Sequence, residues 1–464
     1  MLAFEDNLIV DPDLLRRFDA PGPRYTSYPT ADRFVEAFGP EQYRRSLGNR
    51  QKGRSGRPLS LYVHLPFCDT ICYYCACNKI ITRDHGRSGK YLRYLKKELD
   101  LISEFLAPGE QVVQLHWGGG SPTFLNDHEL AELMQIIRDR FTLADDGEFS
   151  IEVDPRSAGP ETIALLGALG FNRLSVGVQD FDPAVQRAVN RVQSVELTAS
   201  VIEAARANGF KSVSMDLIYG LPLQNASRFG KTLDQVLQIG PDRIALYNYA
   251  HLPTVFKPQR RINEPDLPQP EARIELLTTA IRRLTEAGYI YIGMDHFARP
   301  GDELALAQQR GQLHRNFQGY STRAECDLIG IGISAIGNIG PSYIQNCRTL
   351  DEYYHCLDDG ILPVMRGLEL TKDDLVRRAV IQTLMCQFAL SRRAIEAACQ
   401  IDFSDYFRLE MEKLAEYREL GLVEIDEDRI AVTSRGRLMV RAVCMVFDQY
   451  LRNVERRARY SKVI

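Results

Sequence analysis

Six runs of apolar and β-branched residues recur between Leu59 and Tyr249, with amphipathic stretches of helical period between them. They read LSLYVHL (59–65), VVQLHWG (112–118), FSIEVD (149–154), RLSVGVQ (173–179), SVSMDLIYG (212–220) and RIALYNY (243–249). A strand that follows another through an intervening helix pairs parallel to it, because the crossover returns the chain to the same edge. Six such units predict an α/β fold. Helices confined to one face would curl the sheet into a partial (β/α) barrel of about six units, and an open doubly wound sheet is the alternative. In SGKYLRYLKKELDLISEFL, Ser88 is placed to cap a helix whose Leu92, Leu95, Leu99, Ile102 and Leu106 share one face.

Polar residues gather at the C-terminal ends of the runs: Gly118–Gly120, Glu152 and Asp154, Gln179, Asp216 with Gly220, and Tyr247–Tyr249. Parallel α/β proteins build their sites along that edge, which points to one shared site.

The flanks differ from this core. Residues 1–57 hold PGPRYTSYPT and a basic, Gly-rich stretch, QKGRSGR, and read as an N-terminal arm that can serve as a lid, followed by a loop. Residues 58–365 form the expected catalytic domain, and 366–464 a mostly helical C-terminal domain. In the latter, helices are expected from Thr371 to about Ala398 and from Asp405 to Leu420. A small hairpin follows around Asp426–Asp428, then a last helix with Leu438, Val440, Val443 and Val446. Helices plus a hairpin resemble a winged-helix module. Without a sustained basic stripe, packing or substrate covering suits it better than DNA binding.

Lys and Arg number 57 against 61 Asp and Glu, a net charge of −4, which argues against a nucleic-acid partner. No apolar run is long enough to span a bilayer, and MLAFEDNLIVDPD is no secretory signal, so the expectation is a cytoplasmic protein.

Four of the ten cysteines crowd HLPFCDTICYYCACNK: Cys68, Cys72, Cys75 and Cys77. The first three follow C-x3-C-x2-C. Three thiolates on one tight loop can hold three corners of a 4Fe–4S cube and leave the fourth iron open. A structural zinc site is the rival, but zinc knuckles pair two CxxC-like elements across a longer loop, and Cys75-x-Cys77 leaves little reach for a tetrahedron. Cys77 is the surplus thiol. Cys326, Cys347, Cys356, Cys386, Cys399 and Cys444 have no framework spacing and read as free thiols of a reducing compartment. One strand–helix unit later comes HWGGGSPTFL. Its three glycines let backbone N–H groups approach a ligand closely, without the Gly-Lys-Ser/Thr of a P-loop.

Together these two motifs resemble the radical S-adenosylmethionine superfamily. The resemblance narrows to the oxygen-independent coproporphyrinogen III oxidase (coproporphyrinogen dehydrogenase) family through PRYTSYPT, SIEVDPR, LSVGVQDF, VQRAVNR, MDLIYGLP, NYAHLP, IGMDHFARP, LHRNFQGY and RGRLMVRAVCMVFDQYL, which span nearly the whole chain. It implies a radical SAM core and a 4Fe–4S cluster with two S-adenosylmethionine molecules in one site. A 5′-deoxyadenosyl radical would then drive oxidative decarboxylation of two propionates of coproporphyrinogen III to vinyl groups, giving protoporphyrinogen IX for haem synthesis. A flavodoxin-type electron donor and a monomeric enzyme are further expectations.

Carried over position by position, the resemblance makes Cys68, Cys72 and Cys75 the cluster ligands. It places Tyr62, Gly119, Glu152 and Ile336 at the first S-adenosylmethionine, and Tyr74, Gly120, Ser121, Gln179, Arg191, Asp216 and Ala250 at the second. Ser121 and Tyr74 stand where threonine and phenylalanine are common. Each also has a plain structural use: Glu152 and Asp216 as strand-end carboxylates, Arg191 as an ion pair, and Tyr62, Ile336 and Ala250 as packing. For the substrate's carboxylates Arg24 is the leading candidate, with His296 and Arg299 behind it. The competing reading is a related haem-binding chaperone that keeps the cluster and transfers haem. CxC followed by Asn78 and Lys79, the N-terminal arm and Arg191 favour the oxidase.

Overall fold

The computed structural model describes residues 8–52, 57–323 and 326–452, and the Gly-rich residues 53–56, read as loop, lie outside them. The chain forms two compact units. One comprises Phe34–Gln269 and Glu325–Glu369; the other comprises Met1–Arg33, Pro270–Ala324 and Leu370–Ile464.

The first unit carries the six expected strands: β1 (Leu59–Leu65), β2 (Gln111–Gly119), β3 (Thr142–Val153), β4 (Arg173–Gln179), β5 (Ser212–Tyr219) and β6 (Arg243–Asn248). They pair in parallel and in sequence order. A doubly wound sheet reverses its order at a switch point. An unbroken order with right-handed crossovers keeps the helices on one side, which is the partial barrel. Four further strands continue the sheet beyond β1: β7 (Asp327–Ile331), β8 (Ile336–Ile339), β9 (Ser342–Asn346) and β10 (Val364–Glu369). β7 runs parallel to β1, and the rest are antiparallel to one another. None of these four was expected, because each is short and GIGISAIGNIG hides its alternation among glycines.

The pleat sorts β1 between two environments. Leu59, Leu61, Val63 and Leu65 are fully buried on the helix side. Ser60, Tyr62 and His64 point the other way and form layers with the neighbouring strands, as inward residues of a barrel do. Ser60 Oγ donates to Gln114 Oε1 at 2.8 Å, and Gln114 Nε2 to Glu148 Oε1 at 3.3 Å. One layer higher the Tyr62 ring stacks on His116, centroids 5.8 Å apart, and His116 Nδ1 meets Ser150 Oγ at 2.6 Å.

Between β1 and β2 lies α1 (Gly86–Ser103), with Leu92, Leu95, Leu99 and Ile102 buried as the periodicity predicts. Ser88 does not cap it. The helix starts a half-turn earlier at Gly86, and the Ser88 hydroxyl instead donates to Glu129 Oε1 at 2.6 Å. On its inner face Glu98 is wholly buried. Its carboxyl accepts from the Gly332 N–H (2.8 Å), Asn346 Nδ2 (2.6 Å) and Tyr353 Oη (2.5 Å). The neighbouring Tyr91 hydroxyl donates to His64 O and accepts from Ile333 N–H, each at 2.9 Å.

In the second unit, the helix expected to reach Ala398 stops at Gln387. Phe388 turns left-handed (φ 56°), and the chain enters β11 (Ala389–Ser391) before a new helix, Arg392–Cys399. β11 joins the expected hairpin, β12 (Val423–Ile425) and β13 (Arg429–Val432), as a third strand. The PRYTSYP segment is tied down within this unit: Tyr25 Oη donates to Asp448 Oδ2 at 3.0 Å, and Gln449 N–H to Tyr28 Oη at 3.2 Å. Arg24 is ion-paired with Asp295, and the His296 ring meets Tyr320 edge-on at 5.3 Å. Arg299 lies 5.9 Å over the Tyr289 ring.

Burial is the main influence on Glu98 and pushes its carboxyl up to about 7, against the pull of its three donors. A folded state that holds this proton more tightly than the unfolded chain loses stability as pH rises from about 4.5 to 7. Glu98→Gln is expected to flatten that part of the profile, removing on the order of 3 kcal/mol of pH dependence. Thermal midpoints across pH 4.5–7.5 check this, and an unchanged slope would refute it.

Candidate active site

The cysteine loop leaves β1 at Pro66 and is fastened at its base. Phe67–Cys68 pairs in parallel with Ile80–Ile81, with Ile80 N–H donating to Pro66 O (2.7 Å) and Thr82 N–H to Cys68 O (3.0 Å). Farther out, Tyr73 N–H donates to Val189 O (2.9 Å), Asn190 Nδ2 to Ile71 O (2.7 Å) and Gln259 Nε2 to Tyr74 O (3.1 Å). His64 Nε2 contacts Asn78 O at 2.9 Å; a carbonyl can only accept, so the proton is on Nε2. Nδ1 then accepts from Tyr62 Oη at 3.0 Å.

The glycine turn closes from the other side. Gly120 N–H donates to Leu65 O and Ser121 N–H to Phe67 O, both at 2.8 Å. A Cβ on Gly120 would lie 2.6 Å from the Pro66 carbonyl, and Gly119 combines φ +119° with the His64 ring at 2.7 Å. Both positions therefore need glycine.

Loop and turn border a cavity of about 410 Å³. Cys68, Cys72 and Cys75 line it together with Cys77 and Tyr74 from the same loop. Gly119, Gly120 and Ser121 form another part of the wall, and Glu152, Gln179, Arg191 and Asp216 the rest. Tyr62, Ala250 and Ile336 do not line it. Tyr62 sits one layer below, stacked on His116. Ala250 follows β6 with its carbonyl accepting from Gln259 (3.1 Å), and Ile336 opens β8.

The electrostatics are strongly patterned. Burial raises Glu152, but the His116 hydrogen bond (3.3 Å) and the Gly119 N–H (3.2 Å) outweigh it and hold the carboxyl below its ordinary value. Asp216, desolvated in the cavity wall and close to the Glu152 charge, is pushed up to about 7, although Ser175 Oγ donates to it at 3.2–3.3 Å. One cavity thus holds an ionised carboxylate and one near neutrality, a separation that burial and like charge produce.

Sequence reasoning missed Arg156 and Ser157, and noted Asp154 only as a strand-end carboxylate; all three line the cavity. Arg156 grips Asp154 with two bonds, Nε–Oδ1 at 2.9 Å and Nη2–Oδ2 at 2.6 Å, and Arg191 Nη1 reaches the same Oδ2 at 3.1 Å. Against burial, this pair of guanidinium groups brings Asp154 down to about 2. Both guanidinium groups also lie 3.7 Å from Cys72 Sγ. The signal was available in SIEVDPR, where an arginine two residues past a strand-end aspartate can fold back upon it. Among the thiols, burial pushes Cys68 up to about 12. The Cys77 hydrogen bond outweighs burial at Cys75 and, with Lys79, takes it down to about 6. Three soft sulfur donors facing one cavity, beside a turn held open by glycine, fit an iron–sulfur cluster.

The Radical SAM superfamily model matches residues 62–236, and the HemN C-terminal domain model matches 370–439. The oxygen-independent coproporphyrinogen III oxidase of Pseudomonas aeruginosa is 51% identical over 461 residues, covering 99% of this chain and all of that protein. The enzyme of the same name from Escherichia coli K12 is 48% identical over 451 residues, 97% of this chain and 98% of its own. The solved structure described as coproporphyrinogen III oxidase (HemN) from Escherichia coli, a radical SAM enzyme, matches with a TM-score of 0.91 at 46% identity. It covers 96% of this chain and 100% of that one.

Gly120→Ala must displace the Pro66–Phe67 backbone and with it the base of the cysteine loop. Iron and sulfide per chain after anaerobic reconstitution are expected to fall by more than half while the far-ultraviolet circular dichroism stays unchanged. Full cluster loading in the variant would contradict this account of the turn.

Proposed function

The chain belongs to the oxygen-independent coproporphyrinogen III oxidases of the radical SAM superfamily, and on that premise we propose how its cavity carries out the reaction. It is an oxidoreductase whose cofactors are a 4Fe–4S cluster and S-adenosylmethionine. Cys68, Cys72 and Cys75 would hold the cluster, with Cys77 the surplus thiol lining the same cavity. When bound, this cofactor pair supplies a carbon-centred radical able to remove hydrogen from an unactivated C–H bond, which side-chain acids and bases cannot do.

The chain's own residues position and select. Glu152 would offer its ionised carboxylate to the amino group of a first S-adenosylmethionine, and the Gly119–Ser121 turn would pack against its polar end. Tyr62 and Ile336 support that molecule from outside the cavity wall. Tyr74, Gly120, Ser121, Gln179, Arg191, Asp216 and Ala250 serve a second one. Arg191, fixed by Asp154 and by the Gly177 carbonyl (2.6 Å), has no freedom to swing out and so offers carboxylates a constant positive charge. The substrate is coproporphyrinogen III, two of whose propionates lose CO2 and become vinyl groups, yielding protoporphyrinogen IX. The observation that carries this reading is the convergence of three cysteine sulfurs, the glycine turn and the Glu152 carboxylate on one cavity.

The electron donor is a flavodoxin-type protein and the enzyme acts as a monomer in the cytoplasm. No cysteine is paired in a disulfide, and among the described residues no helix is long and apolar enough to cross a membrane.

Anaerobic reconstitution should give about four irons and four sulfides per chain, in line with cluster stoichiometry. Turnover of coproporphyrinogen III should yield divinyl product, and equilibrium dialysis of S-adenosylmethionine should saturate near two per chain. Tight haem binding without vinyl product would favour the chaperone reading, and a colourless, zinc-loaded protein would end both. In the same assay, Arg191→Met is expected to lower turnover at least tenfold while leaving iron content intact.

A further inference from the structure

α1 begins four residues after Thr82, whose N–H bonds the Cys68 carbonyl, and the His85 ring at its entry lies 3.4 Å from Asp69 of the cysteine loop. From Gly86 to Lys97 every exposed charged side chain on this helix is basic: Arg87, Lys90, Arg93, Lys96 and Lys97. In a chain of net charge −4 that is a local reversal. Lys96 and Lys97 are matched by Asp100 (3.0 Å) and Asp358 (2.6 Å). Arg87, Lys90 and Arg93 have no carboxylate within ion-pair distance among the described residues. Spaced every three residues, they make one row about 9 Å long.

The row opposes the helix's own interests. Cations near a helix N-terminus are destabilising; three other crossover helices put Asp127, Glu161 or Glu196 in their first turns, whereas α1, like Ala226–Ile239, has no acid there and places Arg87 in that turn. Beside the row stands an aromatic pair, Tyr94 and Tyr354, with ring centroids 4.0 Å apart and Lys90 Nζ 4.5 Å over Tyr354. Arginine and tyrosine are the residues that protein interfaces favour at their energetic centres. At the adjoining loop Cys77 is exposed.

Taking the cluster assignment above as given, we propose that Arg87, Lys90 and Arg93, with Tyr94 and Tyr354, form the docking surface for a small acidic one-electron carrier protein that delivers the electron to the cysteine-loop cluster. Opposite charge steers the encounter and speeds association, with a rate that falls as salt rises. In the complex one electron leaves the carrier's reduced flavin and enters the oxidised cluster, and no bond is made or broken.

The test uses full-length reconstituted enzyme, a flavodoxin of net negative charge kept reduced by its reductase, and dithionite as a small reductant that needs no docking. The variant is Arg87→Glu/Lys90→Glu/Arg93→Glu. Lys211→Glu/Lys231→Glu/Arg310→Glu supplies the same charge change elsewhere. Acids suit the start of α1, so the thermal midpoint should not fall. With flavodoxin, cluster reduction and flavodoxin binding should both drop at least tenfold in the α1 variant and hold within twofold in the control. With dithionite, cluster reduction and turnover should match the parent. Equal loss in both variants, no loss in the α1 variant, or loss under dithionite as well would each overturn the proposal. Absence of vinyl product from the parent under dithionite would sink the catalytic reading and leave the docking result legible through binding.

Discussion

Two short backbone bonds join the cysteine loop to the glycine turn, and the site depends on them. Gly120 and Ser121 donate to Leu65 and Phe67 across a gap that admits no Cβ, so the ends of β1 and β2 lie against one another. His64 completes the joint by bridging Tyr62 and Asn78, the residue that ends the cysteine run. The sulfur-bearing loop at one strand end and the glycine turn at the next then border the same cavity. Neither motif alone specifies that convergence; the parallel pairing of the two strands does.

Charge is arranged around that joint in tiers. Arg156 and Arg191 share Asp154, leaving the set with one net positive charge against the Cys72 sulfur. Glu152 remains ionised through His116, while Asp216 is held near neutrality by the same burial. The buried Glu98 group works from behind, tying α1 to the Gly332 turn, which leads into Ile336, and to Asn346 at the end of β9. Such buried polar groups are demanding because each must be fully satisfied, and Glu98 is met by three donors.

Part of this was legible from residues alone, for identifiable reasons. The six parallel strands announced themselves because each is a long apolar run bracketed by an amphipathic helix. Eleven of the fourteen named site residues share the cavity. Spacing marked the three cysteines, and strand-end position marked Gly119, Gly120, Glu152, Gln179 and Asp216. Tyr74, Ser121 and Arg191 came from the family resemblance alone. What escaped was short or non-local. β7–β10 are brief and rich in glycine, so their alternation is lost. Ser88 looks like a cap by type, yet its hydroxyl is claimed by Glu129, a partner 41 residues away. Arg156 reveals itself only once its side chain folds back on Asp154. The helix expected through Ala398 carries a good helical pattern across Phe388, and tertiary pairing of β11 with β13 breaks it there.

β1 lies inside its sheet, laddered to β2 on one flank and β7 on the other. Sliding it by a single residue would break two ladders at once and would also turn Leu61 and Val63 inward and Tyr62 and His64 outward. The strand is thereby denied any alternative alignment. Variation in length near the cysteine loop is tolerable only past Leu65, where the ladder ends, and any insertion before that point would rotate the whole sulfur-bearing loop off its mark.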